Sequence, residues 1–114
     1  MEAQLRNIGY SPQTYLRIAR ETARRAGYEP DTLTFSDDRI HKLQIVTPEG
    51  KIRRFGRVNY NDYIIYKFLE AHGEVAKGTA ERSRDRFRIS HAKIRGDWKR
   101  DPYSPNNLAI HILW

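Results

Sequence analysis
Apolar residues at Tyr15, Leu16, Ala19, Ala23 and Ala26 recur at spacings of three and four, the period of a helix face that packs on a core. Ser11-Pro12 starts that helix, because the hydroxyl can accept an orphan backbone N–H and proline's missing donor costs nothing in the first turn. Gly27 follows as a left-handed stop, with Tyr28 placed to fold back over the last turn. The pattern then changes: residues 28–40 are polar, with Pro30, three aspartates and Ser36, and read as a surface connection.

Alternation replaces the helical period over LQIVTPEGKIRRF. Leu43 and Ile45 flank Gln44, Ile52 lies between Lys51 and Arg53, and Pro48 with Gly50 supplies turn chemistry, so this segment is expected as a two-stranded hairpin. A second helix carries Tyr63, Ile64, Ile65, Phe68 and Leu69, capped by Asn59 or Asn61 and closed by Gly73. After an EVAKG loop, Thr79 caps a third helix that runs to about Arg95. Its seam, Ala80, Phe87, His91 and Ile94, is narrow and leaves a broad polar face in solvent. Ser104-Pro105 repeats the helix start, and Leu108, Ala109, Ile112 and Leu113 form a buried stripe, with Asn106, Asn107 and His111 on the other face. Trp114 is expected to close the core against the first or third helix, so that deleting Ile112–Trp114 unfolds the protein. The fold class is α+β: mainly helical, with about four helices and a small two-stranded antiparallel hairpin. Residues 1–114 are expected as a single compact domain, in which 1–10 admit an extended N-terminal arm.

Composition narrows the chemistry. A chain of 114 residues buries roughly two-thirds of its unfolded surface, so 39% hydrophobic content supports a core without a metal or disulfide staple. Cysteine is absent, which removes disulfide frameworks, cysteine nucleophiles and thiolate metal sites. No basic start leads into an apolar stretch, and no run approaches the roughly 18 apolar residues of a membrane span, so neither a signal peptide nor a membrane helix is expected. Glu49-Gly50-Lys51 has the Glu-x-Lys spacing of some metal-dependent nucleases, but it falls in the hairpin turn. Asp37, Asp38 and His41 suit capping and loop roles better than a metal shell. His72, His91 and His111 lack metal-binding or catalytic spacing, and no P-loop, nucleophile elbow or dinucleotide fingerprint is present. The sequence therefore points to a non-enzymatic protein, with no catalytic, metal or cofactor residues.

The net charge of +7 is unevenly placed. Residues 1–27 carry an excess of +3, with Arg17, Arg20 and Arg24 on one face of the first helix, and residues 82–100 carry +6. Concentrated basicity suits contact with an anionic surface. In RSRDRFRISHAKIRGDWKR, Arg84, Arg88 and Arg95 follow one helical strip while Arg82, Arg86 and Lys93 cover an adjoining one; Lys99 and Arg100 follow. Guanidinium forks bind phosphate oxygens, or equally acidic patches of a protein lattice. Phe87 and Trp98 can stack on a base, although core packing is the plainer role. In GRVNYNDYIIY, Gly56 suits a tight turn after the second strand, and the tyrosines suit a half-wet interface.

Three stretches together, FGRVNYNDYIIYK, GTAERSRDRFRISHAKIRGDWK and DPYSPNNLAIHILW, resemble a family of small basic proteins of large double-stranded DNA viruses of eukaryotes. The matching positions are Phe55-Gly56, Asn61-Asp62-Tyr63, Arg82 to His91 with Trp98, and Tyr103-Ser104-Pro105 followed by Leu108, Ala109, Leu113 and Trp114. The resemblance implies a viral origin and brings no established activity with it. The expectation is a minor capsid or cement component of a virion, made in the host cytoplasm or nucleus and contacting other virion proteins. The alternative is a sequence-tolerant DNA-binding or packaging protein whose basic helix, 82–100, contacts phosphates.

Overall fold
In the computed structural model, which describes residues 1–114, Glu2–Asn7 form a short helix, α1. The expected N-terminal arm is therefore helical over these residues, anchored by fully buried Leu5. Helix α2, Pro12–Arg25, starts and stops as its sequence predicts. The Ser11 hydroxyl accepts the Thr14 N–H, and the Tyr28 N–H returns to the Ala23 carbonyl at 2.9 Å. Tyr15, Ala19 and Ala23 line its inner face.

The polar connection holds one element more than its composition suggested. A tight turn at Pro30–Thr32 puts Leu33 into the core, and Thr34–Phe35 form strand β1. β1 pairs antiparallel with β2, Leu43–Val46, which pairs with β3, Ile52–Phe55, so the sheet has three strands in the order β1-β2-β3 rather than two. A two-residue strand is too short to show alternation, which is why the sequence concealed it. Leu43 and Ile45 point inward as expected. On β3 the register places Phe55 opposite Leu43 and Arg53 opposite Ile45, so Ile52 falls on the outer face and is exposed.

Helix α3, Tyr63–Ala71, is capped by neither asparagine but by Asp62, whose Oδ1 accepts the Ile65 N–H at 2.9 Å. Helix α4, Thr79–Ala92, has no side-chain cap of its own. The Thr79 hydroxyl donates backward to the Ala76 carbonyl, and Glu70 of α3 accepts the Ala80 N–H at 2.6 Å. The cap thus comes from a neighbouring helix, which no local pattern reveals. α4 ends at Ala92, short of Arg95, and leaves Ile94 exposed.

After a turn at Asp97–Arg100, helix α5 runs over Pro105–Leu108 and continues in wider, π-helical turns over Ala109–Leu113. Leu108, Ala109, Ile112 and Leu113 are all buried, as the stripe predicts. Asn107 departs from the expectation: it is buried, and its amide donates to the Trp98 and Asp101 carbonyls at 2.8 Å each. The end of the chain meets the sheet at Gly56. That residue has φ +77, and a Cβ there would come within 2.8 Å of the Leu113 Cδ1. Left-handed backbone and close approach both call for glycine. No helix is long and apolar enough to cross a membrane.

Candidate functional site
Beneath the sheet lies a buried charge cluster that the sequence did not announce. Asp62 Oδ2 accepts the Tyr15 hydroxyl at 2.5 Å and the Lys42 ammonium at 2.8 Å, while Oδ1 caps α3. Lys42 and Asp62 side chains are each only 2% exposed. A buried carboxylate needs such partners, since an unpaired ion away from water is costly. Burial first, then the charge and hydrogen bond of Asp62, push the Tyr15 hydroxyl well above its usual range. In the sequence Asp62 stands out only as part of a motif, and Lys42 sits in a strand approach where lysine ordinarily signals surface. Nothing in the sequence pointed to their pairing.

On α4 the two arginine strips separate. The strip of Arg84 and Arg88 turns toward the fold. Arg84 pairs with Glu81 at 2.5 Å and lies 4.4 Å over the Tyr63 ring, leaving its Nε as the one buried side-chain nitrogen or oxygen without a partner. Tyr63 in turn donates to Glu81 at 2.7 Å, the largest cause of the lowered Glu81 pKa. Arg88 donates to the Trp114 carbonyl at 2.7 Å. Arg95, expected on this strip, lies beyond the helix. The other strip stays in solvent: Arg82, Arg86 and, just past the helix end, Lys93 are exposed and have no carboxylate partner. Arg95 and Arg100 are exposed as well, and Lys99 lies over Trp98, 5.6 Å from the ring centroid.

The outward strip borders a cleft of about 730 Å³ between α4, the β3–α3 connection and α5. His41, Lys42, Arg57, Arg86 and His91 contribute to its lining, and no aspartate or glutamate does. Its apolar wall is a stack of rings. Phe87 packs between Trp114, with centroids 4.6 Å apart, and His91, at 3.6 Å, with interplanar angles of 11° and 16°. Trp114 thus meets the third predicted helix as expected, half-buried at the cleft wall, with Tyr66 tilted against it at 6.3 Å. Phe87 packs within the fold and lines the cleft at once. A second cleft of about 670 Å³ lies on the other side of Trp114; it too is lined by no aspartate or glutamate, but its Arg84 and Arg88 already have partners and only Lys67 is left unpaired among its lysines and arginines.

The remaining candidates serve local structure. Arg20 donates to the Leu33 carbonyl at 2.9 Å, Arg24 pairs with Glu21, and Arg17 is exposed, so the α2 arginines form no common surface with the cleft. Asp38 accepts the His41 N–H at 2.8 Å and its ring nitrogen at 2.7 Å; led by that backbone donor, these bonds hold its carboxyl well below the usual range. Asp37 pairs with Arg54, and no three acidic or imidazole side chains converge as metal ligands. Glu49 and Lys51 are exposed at the hairpin turn. Of the motif residues, Trp98 donates to the Ile94 carbonyl at 2.7 Å, Tyr103 packs edge-on to Tyr28, and Ser104 caps α5. Phe55, Leu108 and Leu113 are core, while Asn61 and Pro105 line the cleft. Comparison with protein-family models, with curated proteins and with solved structures finds no match to this chain.

Proposed function
We propose that the protein binds nucleic acid through the outward strip of α4 and the rim of the cleft beside it, holding phosphates without reading base sequence. The observation that carries this reading is the lining of the cleft. The chain has 14 acidic residues, yet none reaches this recess, while Arg57 and Arg86 stand at it without a carboxylate partner. Unpaired guanidinium groups around a recess without acidic side chains concentrate positive potential and draw phosphate. Phosphate contacts fix register and carry no sequence information, and their strength comes from counterion release.

Binding of labelled DNA followed by fluorescence anisotropy tests the reading. Affinity is expected to fall steeply between about 50 and 200 mM salt. Replacing Arg82 and Arg86 together by alanine weakens binding to every sequence alike and lowers the salt slope by about 2. Absence of binding at about 150 mM salt overturns the proposal.

A role in a virion shell is the competing reading, and one observation favours it: Ile89 and Ile94 are exposed near the same arginines. Apolar and guanidinium groups side by side suit a protein contact. Separating purified particles into shell and core, followed by mass spectrometry, distinguishes the two. Departure with the genome supports nucleic-acid binding, and retention on emptied shells at fixed stoichiometry supports the capsid role.

A further inference from the structure
We infer that the cleft takes an unpaired nucleobase, so that the protein prefers single-stranded to duplex nucleic acid. This rests on the nucleic-acid reading above and adds the substrate class. Five features of the cleft converge on it.

Tyr60 lies at the cleft and is 69% exposed, with no side-chain hydrogen bond and no place in the core. A large aromatic left in solvent buries little against this fold, and its free π-face is what a base stacks on. The other rings of the lining are held in place in advance. The nearly parallel rings of Trp114, Phe87 and His91 are tied at both ends: Arg88 holds the Trp114 carbonyl, and Asn106 donates to the His91 carbonyl at 3.0 Å.

Charge complements the rings. Arg57 enters from the β3–α3 connection and Arg86 from α4, so unpaired guanidinium groups flank the recess from two elements and can hold phosphates on either side of an inserted base. Asn61, exposed at the same rim without a protein partner, offers an amide to a base edge without fixing its identity. The volume of about 730 Å³ lies within the roughly 300–1,000 Å³ of small-molecule sites. A duplex offers phosphates to the outward strip, but its base faces are covered by stacking and leave the aromatic walls unused. A polyglutamate-like acidic peptide would satisfy the arginines and bring no aromatic face to the rings.

The test compares wild type with Tyr60→Ala, using a thymidine oligomer of about 16 nucleotides and a duplex of the same length at one salt concentration. Wild type is expected to bind the strand more tightly. Tyr60→Ala loses about tenfold on the strand and nothing on the duplex, with an unchanged melting temperature. In a Trp98→Phe background, which leaves Trp114 as the sole tryptophan, the strand alters the tryptophan emission and an abasic oligomer of equal length does not. Equal affinity for strand and duplex, with Tyr60→Ala without effect, overturns the inference while salt-dependent binding keeps the broader reading. Failure to bind either nucleic acid overturns both. A polyglutamate peptide that binds more tightly than the strand, and displaces it, assigns the cleft to an acidic protein segment and overturns the inference.

Discussion

At Asp62 the fold takes charge out of water and ties it to three donors; along the outer face of α4 it leaves charge in water and gives it no partner. The two regions draw on the same chemistry to opposite ends. A buried ion pair needs every partner in place, because removing one strands the other in a medium that solvates it poorly. An exposed guanidinium needs none, because water satisfies it and a ligand can later replace the water. The first arrangement fixes where α2, the sheet and α3 meet. The second is left to water, and the proposed phosphate contact rests on that. Arg84 and Arg88 stand between the extremes, half recruited into holding Tyr63, Glu81 and Trp114 together.

The largest loss of stability is expected at Lys42. Lys42→Met leaves Asp62 buried without its counter-charge and is expected to cost about 3–5 kcal/mol, read from urea unfolding. Adding Asp62→Asn, which keeps an N-capping side chain, should recover much of that loss. A double variant as unstable as the sum of the two single changes would show that the pair is not coupled.

Tyr15→Phe is the next step down. It removes a hydrogen bond to a charged group, for an expected loss of about 1.5–3 kcal/mol at neutral pH. The pH dependence sharpens the attribution. The folded Tyr15 hydroxyl titrates above its ordinary value of 10.0, so its contribution is fully present below that pH and is lost as pH rises toward the raised value. The gap between wild type and Tyr15→Phe should therefore narrow above about pH 10, and a constant gap would remove Tyr15 from the alkaline transition.

The smallest effect belongs to the outward strip. Replacing Arg82 and Arg86 by alanine should change stability by no more than about 0.5 kcal/mol, while the proposed function expects it to weaken DNA binding. A loss of stability as large as that of Tyr15→Phe would mean that the strip holds the fold, and the contrast between the regions would fail.

Much of the fold is legible in the sequence where the physics is local. Ser11-Pro12, Gly27 and Ser104-Pro105 mark helix ends because capping uses residues three or four positions apart. The buried stripe from Leu108 to Leu113 is visible for the same reason. The local pattern misleads where the partner lies in another element, six to ten residues away. Glu70 caps α4 in place of Thr79, Phe35 pairs with Leu43 to add a strand, and the hairpin register turns Ile52 outward. For the candidate site, the arginines were visible as composition, but their division into a free strip and a tied strip was not. That division follows from which side of α4 meets Tyr63 and Trp114.

What the sequence determined by itself is therefore the α+β class, the helix termini, the hairpin and the concentration of positive charge, all of which follow from neighbours within a turn or two. Tertiary structure alone decided the rest. It brought Lys42, Asp62 and Tyr15 together, seated Leu113 against Gly56, and formed a cleft without acidic side chains between α4 and the β3–α3 connection. Those outcomes depend on desolvation and on distances between segments separated by tens of residues, quantities that have no value until the chain has folded.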